Sequence, residues 1–284
     1  MEHASSHEST GPFLGNEFGQ HLKHWRNTRR YSQLQLAVEA DISQRHISFL
    51  ESGRSQPSRD MVLRLAETLE LPLKEQNEML SRGGYAPIFQ ARSLESDDMT
   101  SVKAALRMQL DHHDPYPAVV IDQAWNVLMT NKGMDTLLAL GGDADEMWQE
   151  ICGDGPRNIL KLTLHPAGLR RFTSDWKTVA LVTLQRLRRE ARALQSEELQ
   201  NLLEELLALP GVPDDWKAAV SDGTPAPLLP MSLQAGGLAM NLMSMLASFG
   251  TPQDVTVADL RIELFYPADE PSADLLKMLA AATP

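Results

Sequence analysis

The stretch that decides the fold of the N-terminal part runs from Ser32 to Ser58 and reads SQLQLAVEADISQRHISFLESGRSQPS. Ser32 and Ser43 each precede a short segment whose apolar residues recur at helical spacing, which is typical of helix N-caps. A polar break at Asp41 separates the two segments, and Gly53 follows the second where a left-handed backbone is favoured. The stretch therefore predicts two short helices joined by a tight turn.

Helical spacing continues on both sides of these segments. Phe18, Leu22 and Trp25 recur at i, i+4 and i+7, which predicts a helix before the stretch. After it, Pro57-Ser58 opens a fourth helix and Leu73–Ser81 forms a fifth. Two short helices joined by a three- or four-residue turn make a helix-turn-helix, whose second helix has the right width for the DNA major groove.

Helix-ending glycines and a polar segment divide the chain into two domains. Gly83-Gly84 ends the helical pattern, and the segment Ser93–Thr100 is polar and acidic. We expect a disordered tail at residues 1–15, an all-α five-helix domain at residues 16–84, a linker at residues 85–102 and a second domain at residues 103–280.

Charge is distributed unevenly between these parts. The 284 residues carry a net charge of −12, with a sequence pI near 5.1. Residues 18–59, however, contain seven basic and three acidic side chains. A basic island on an acidic protein indicates a nucleic-acid module joined to a domain that DNA would repel.

The opening stretch resembles a known DNA-binding domain. The matching pattern is Ser32-Gln33-x-x-Leu36-Ala37-x-x-Ala40-x-Ile42-Ser43-x-x-x-Ile47-Ser48-x-Leu50-Glu51-x-Gly53-Arg54-x-x-Pro57-Ser58. It is similar to the Cro/phage-repressor (XRE-type) helix-turn-helix domain over about 55 residues. One departure is Ala40-Asp41, where a small residue and glycine are more usual.

The resemblance implies roles for individual residues. Those at the N-terminal turns of the third helix would read base edges, since Gln pairs well with adenine and Arg with guanine. The expected base contacts are Gln44, Arg45, Ser48 and Phe49. The expected phosphate contacts are Gln33, Ser43 and Arg54. Arg26 and Glu51 would form a buried structural pair.

The second domain mixes strand and helix patterns. Strands are predicted at 117–122, 125–130, 228–233, 238–246 and 260–266, and helices at 132–140, 158–163, 168–172, 175–194, 196–209 and 272–281. Strands at both ends with helices between them indicate an α+β domain with an antiparallel sheet.

Several strings in this domain resemble one family. They are Tyr116-Pro-Ala-Val-Val-x-Asp122-x-x-Trp125-Asn126-Val127-Leu128-x-x-Asn131, Asn158-Ile-Leu-Lys-Leu, Phe249-Gly-Thr-Pro-Gln-Asp-Val, Leu260-Arg-Ile-Glu263 and Pro267-Ala268-Asp269-Glu270. They look like the MmyB-like transcription regulators, in which an XRE-type domain precedes a PAS-like ligand-binding domain. The resemblance implies an apolar, sheet-lined cavity and a fatty-acid-like ligand.

Candidate ligand contacts come from the predicted strands, because pockets are mostly apolar and Met adapts to irregular ligands. They are Trp125, Met129, Leu238, Met240, Leu242 and Met243. Core packing is an alternative for each of them, and a one-residue slip in a strand inverts every assignment. Six arginines could meet a carboxylate or form a solvated helix face: Arg170, Arg171, Arg186, Arg188, Arg189 and Arg192.

Other classes of protein find little support. The single cysteine, Cys152, excludes an internal disulfide and suits a reducing compartment. No apolar run reaches the ~18 residues of a membrane span, and Met1–Gly11 lacks the apolar core of a signal peptide. Enzyme motifs and paired metal-ligand spacings are absent, so neither catalysis nor a metal cofactor is expected.

These observations predict a cytoplasmic, homodimeric regulator that binds double-stranded DNA and senses a small apolar ligand. The alternative is a helix-turn-helix protein whose C-terminal domain is only a dimerisation or partner-binding module with a filled core.

Overall fold

A computed structural model describes residues 15–217, 231–235 and 237–282. The chain forms two compact units. Of the described residues, the first unit contains 15–93 together with Thr251–Ala258, and the second contains those from 94 to 250 and from 259 to 282. The predicted tail at residues 1–15 lies outside the described residues except for Gly15.

The first unit begins with five α-helices, as the apolar periodicity predicts. Three of them start at the predicted serine caps, because the hydroxyls of Ser32, Ser43 and Ser58 accept hydrogen bonds from backbone N–H groups in the first turn. The prediction of a five-helix domain is therefore confirmed. The helices are α1 Gly15–Thr28, α2 Gln33–Glu39, α3 Gln44–Glu51, α4 Arg59–Thr68 and α5 Leu73–Arg82.

One apolar core holds these helices together. Fully buried side chains come from every helix: Phe18, Leu22, Trp25, Leu36, Ile47, Leu50, Val62, Leu65, Met79 and Leu80. Burying each large apolar side chain contributes about 1.5–3 kcal/mol. Gly19 of α1 lies so close to α3 that a Cβ atom there would stand 2.5 Å from the backbone oxygen of Glu51. The core thus fixes the position of α3.

Part of the segment predicted as a linker, residues 85–102, packs against the first unit. Tyr85 and Ile88 contact the helical core, and the side chain of Asn77 binds backbone groups of Ile88 and Phe89 at 2.7–3.0 Å. Gly and Pro residues end the helical periodicity in this segment, and its apolar side chains reach the core without forming a helix.

The second part of the chain contains five strands and eight further helices within the described residues. The strands are β1 Ala118–Ile121, β2 Val127–Thr130, β3 Met231–Ala235, β4 Leu238–Ser248 and β5 Arg261–Pro267. The helices are α6 Thr100–His113, α7 Lys132–Ala139, α8 Ala144–Cys152, α9 Ile159–Leu164, α10 Trp176–Leu194, α11 Glu197–Leu207, α12 Val255–Asp259 and α13 Glu270–Ala282.

The first residues of α12 belong to the first unit. Val255 donates its backbone N–H to Gln90 O at 2.8 Å, and Arg92 pairs with the buried carboxylate of Asp254 at 3.0 Å. A segment from between two sheet strands is therefore part of the first unit, which the sequence division did not anticipate.

The five strands form one antiparallel sheet in the order β2-β1-β5-β4-β3. The predicted α+β class is confirmed. Trp125, predicted as the first residue of a strand, lies in the turn before β2, with a φ of 68°. Residues 228–230 of the predicted third strand lie outside the described residues. No helix was predicted at α6, α8 or α12; α6 buries only the stripe Leu106, Leu110 and His113.

The two faces of the sheet pack on different helices, because side chains alternate along each strand. Val119, Ile121, Leu242 and Phe265 join the core formed with α8 to α11. Val120, Ile262 and Leu264 pack with α6 on the other face. Burial on both faces explains why the predicted strands are nearly continuous apolar runs.

The first unit contains a buried histidine that should make stability depend on pH. Burial, and secondarily the positive charge of Arg82, lowers the pKa of His21 to about 4. As the pH falls below 6.5, the His21 side chain of the unfolded chain therefore takes up a proton, whereas that of the folded chain stays neutral until about pH 4. We expect unfolding free energy to fall as pH drops from 6.5 to 4, by up to about 3 kcal/mol at about 1.36 kcal/mol per pKa unit.

Denaturation of the wild type and of His21→Leu between pH 4 and 7.5 measures this loss. The variant should lose less stability on acidification than the wild type. Burial raises the pKa of Glu75, which lies 3.8 Å from His21 and acts in the opposite direction. Identical pH slopes in wild type and His21→Leu would contradict the prediction.

Candidate functional site

Helix α3 presents a polar outer face at the surface of the first unit. Its inner positions Ile47 and Leu50 are buried, whereas Gln44 and Arg45 in its first turn are exposed. Ser48 and Phe49 are half-buried, and the Arg45 guanidinium lies 5.2 Å from the centroid of the Phe49 ring. The four expected base-contact residues thus lie on one helix, and Gln44 and Arg45 are exposed to solvent.

The turn before α3 uses an unusual residue. Asp41 has a φ of 52°, a left-handed conformation that Gly adopts most easily and Asp tolerates. The departure seen in the sequence, Ala40-Asp41, therefore keeps the tight turn that orients α3 against α2.

A buried ion pair ties α3 to its neighbours. Arg26 Nε lies 2.5 Å from Glu51 Oε1, and both side chains are less than a tenth exposed. Glu51 also accepts a hydrogen bond from Gln33 Nε2 at 2.7 Å, while Arg26 Nη1 donates to Tyr31 O at 2.7 Å. Since these residues come from α1, α2, α3 and the α1–α2 turn, the network sets the angle of α3.

The three expected phosphate-contact residues differ in their surroundings. Ser43 and Arg54 are exposed at the two ends of α3. Ser43 also caps the helix by accepting from His46 N at 3.2 Å. Gln33 is half-buried and donates to Glu51, so part of its side-chain amide is already used inside the domain.

The second unit contains a cavity beneath its sheet. It has a volume of ≈ 130 Å³ and lies between α9, α10 and strands β3 to β5. Its apolar lining comes from Leu160, Val179, Val182, Met231, Leu242 and Phe265, and its polar lining from Thr163, Thr183, Ser244, Arg186 and Glu263. The cavity resembles ligand pockets in being mostly apolar with a few placed polar groups.

The polar lining is concentrated in one charged cluster. Glu263, only 6% exposed, accepts a hydrogen bond from the Ser244 hydroxyl. Burial raises the pKa of Glu263, and the nearby Arg186 charge opposes this rise. Arg186 Nε lies 3.4 Å from Glu190, which also pairs with Arg261 at 3.1 Å. Burial lowers the pKa of Arg186.

Only some of the expected ligand contacts line the cavity. Leu242 lines the cavity, and Met240 lines a void of only ≈ 10 Å³ nearby. Trp125 is fully buried, with the Arg186 and Arg261 guanidiniums 3.9 Å and 4.3 Å from its ring centroid. It is packed between charged groups instead of lining the cavity, because its residue belongs to a turn and not to a strand.

Three other expected contacts lie away from the cavity. Met129 packs on the α6 face of the sheet, and Met243, paired with Tyr266, alternates onto that face too. Leu238 stands half-buried at the start of β4. Leu242 and Met243 are neighbours in β4 and therefore face opposite sides of the sheet, so only one of them can line the cavity.

Sequence reasoning missed Glu263, which appears only inside a family-like string and has no predicted role. Arg186 is one of the six arginines for which a carboxylate partner and a solvated helix face are both predicted as possible uses. The available signal was an acidic residue inside the otherwise apolar strand β5, since buried carboxyls are rare without a partner.

The part of the chain that the structure describes contains no group of three or more His, Cys, Asp or Glu side chains placed to hold a metal ion. None of its helices combines the length and apolar character needed to cross a membrane.

Comparisons with known proteins identify both units. A family model described as a helix-turn-helix domain matches residues 17–79. A model described as the MmyB-like transcription regulator ligand binding domain matches residues 102–279. No curated protein matches the chain. Among solved structures, ComR from Streptococcus suis is 14% identical, with 69% of this chain and 71% of that chain covered and a TM-score of 0.23, too low to inform the fold.

Both matched families are regulatory domains and neither is an enzyme family. A helix-turn-helix domain followed by a ligand-binding domain is the architecture of a DNA-binding, ligand-sensing transcription regulator. Because the ligand-binding model alone matches more than half of the residues, the chain belongs to the family of MmyB-like transcription regulators.

Proposed function

We propose that this regulator binds a specific DNA sequence by placing α3 in the major groove. The observation that carries the proposal is the exposure of Gln44 and Arg45 on a helix whose position is set by the buried Arg26–Glu51 pair. Side chains on such a fixed helix can read base edges, while Ser43 and Arg54 hold phosphates at its ends.

The proposed regulator works as a homodimer in the cytoplasm. Two recognition helices in a dimer would bind half-sites about one helical turn, roughly 34–36 Å, apart. A ligand that prefers one arrangement of the dimer would change the spacing of the helices and hence the DNA affinity.

The proposed ligand is a small apolar molecule, with fatty-acid-like compounds as the first candidates. The mostly apolar cavity beneath the sheet supports this ligand class. Its volume of ≈ 130 Å³ is close to that of an engineered cavity of about 150 Å³ that binds benzene. A short or compact ligand therefore fits without rearrangement, whereas a long acyl chain would require the cavity to open.

The same small volume favours a second candidate function, in which the C-terminal domain is a dimerisation or partner-binding module with a filled core. Mass spectrometry of molecules extracted from the purified full chain separates the two. A stoichiometric small molecule supports the sensor, and its absence in all preparations supports the module.

DNA binding is tested by selecting bound sequences from random DNA with the full chain. We expect enrichment of one motif with two related halves about one helical turn apart. Recovery of unenriched DNA, or of no DNA, would contradict sequence-specific binding.

A further inference from the structure

The cavity beneath the sheet contains a carboxyl group that packing does not explain. Glu263 lies in the middle of the central strand β5, paired with Val119 on one side and Leu246 on the other. Burying a carboxyl among apolar side chains is costly. A buried titratable group with a specific charged partner in a cavity is characteristic of a binding site.

The guanidinium that faces the cavity shares its paired carboxylate with a second arginine. Arg186 and Arg261 both pair with the single carboxylate of Glu190. Arg261 is committed elsewhere as well, because its Nη2 donates to the backbone oxygens of Asp122 and Gln123 at 3.2 Å and 3.1 Å. Arg186 lines the cavity, so it is the cation available to a ligand.

The charge of this cluster depends on the protonation of Glu263. The groups that act on it are Arg186 and Glu190 from α10, Ser244 from β4 and Arg261 from β5 itself. With Glu263 ionised, two guanidiniums face two carboxylates and the cluster is neutral. With Glu263 protonated, the cluster has one net positive charge, and the carboxyl becomes a hydrogen-bond donor beside Arg186.

We propose that this cavity binds a compact monocarboxylate, that Arg186 pairs with its anionic group, and that Glu263 takes up one proton from solvent when the anion enters. The proposal rests on the ligand-sensing role above and names its ligand class. The proton is needed because two ionised carboxylates cannot share one buried site without strong repulsion. The apolar lining and the cavity volume limit the ligand body to about the size of one benzene ring.

Three probes of similar size that share one phenyl ring test the proposal: benzoate, benzyl alcohol and benzylamine. Their binding to the purified full chain is measured by isothermal titration calorimetry at pH 6, 7 and 8, where a carboxylate probe with a pKa near 4 stays ionised. We expect benzoate to bind most tightly, and its affinity to rise by up to about tenfold for each pH unit lost. Heats in buffers of different ionisation enthalpy should show proton uptake.

Two variants separate the roles of the charged groups. Glu263→Gln keeps a neutral polar side chain, so benzoate should bind this variant equally well at pH 6 and pH 8, at least as tightly as it binds the wild type at pH 6, and without proton uptake. Arg186→Gln should weaken benzoate by about tenfold or more, because a hydrogen bond to a charged group is lost. It should leave benzyl alcohol unchanged. Arg192→Gln, at an exposed position of the same helix, is the matched control.

Four results would overturn the proposal: tightest binding of benzylamine, equal binding of all three probes, benzoate binding without proton uptake, or no binding of any probe at millimolar concentration. The DNA selection and the extraction experiment use neither probe nor variant. A failure here is therefore distinguishable from a failure of the proposed regulator function.

Discussion

The double variant Gln44→Ala/Arg45→Ala is expected to lose sequence preference while the protein keeps its fold. Both side chains are exposed on α3, so their removal leaves no cavity and no unpaired buried group. A good bidentate contact to a base is worth about 1–3 kcal/mol. The two losses together should weaken binding to the selected sequence by roughly 30-fold or more at about 1.4 kcal/mol per tenfold.

Fluorescence anisotropy with the selected DNA and with a scrambled duplex measures this effect. The matched control is Arg192→Ala/Gln200→Ala, which removes the same residue types from exposed positions of α10 and α11. Affinity for the scrambled duplex should change far less, since it depends on phosphate contacts. An unchanged preference for the selected sequence would refute the assignment of α3 as the reading helix.

The second large effect is expected from breaking the buried pair beneath α3. Glu51→Ala leaves the Arg26 guanidinium buried without its carboxylate partner, and Gln33 loses its acceptor. Removing one member of a buried pair typically costs about 3–5 kcal/mol. We expect the first unit to lose this stability, and DNA affinity to fall because α3 is no longer held at its angle.

Replacing both partners should cost less than replacing one, because no buried charge is then left unpaired. The test is therefore a comparison of Glu51→Ala with Arg26→Met/Glu51→Leu by denaturation and by hydrogen exchange of the amides in α1 to α5. The exposed pair Arg82–Glu78 is the control, and its removal should cost less than about 1 kcal/mol. Equal losses at the buried and exposed pairs would show that the network does not support the domain.

The two predictions concern different measured quantities, DNA affinity and folding stability. Gln44 and Arg45 act at the surface, so their effect should appear in binding and not in stability. Glu51 acts inside, so its effect should appear in stability first. The pair of experiments therefore separates the reading of DNA from the positioning of the helix that reads it.

Local signals made the first unit predictable from the sequence. A serine cap acts on an N–H group three residues away, as Ser32 does on Gln35 and Ser43 on His46, and apolar periodicity acts over one or two helical turns. Such signals need no knowledge of distant residues. The same holds for the β1–β2 hairpin, whose strands are neighbours in the chain.

The cavity could not be predicted in the same way, because its parts come together only when distant segments pack. Arg186 and Glu263 lie on α10 and β5, and neither segment shows on its own that it will face the other. The side of a strand on which a residue lies changes with a shift of one position. Of the predicted contacts, Leu242 lines the cavity, whereas Met129 and Met243 lie on the opposite face of the sheet.

Local sequence patterns alone predict a five-helix helix-turn-helix unit followed along the chain by an acidic α+β unit. Helix caps, turns and apolar periodicity depend on residues close together in the sequence, so they can be recognised from the sequence itself. Tertiary packing alone decided that an arginine and a buried glutamate would share one cavity, and that residues 251–258 would join the first unit. Those outcomes depend on contacts between residues far apart in the chain, which no local pattern encodes.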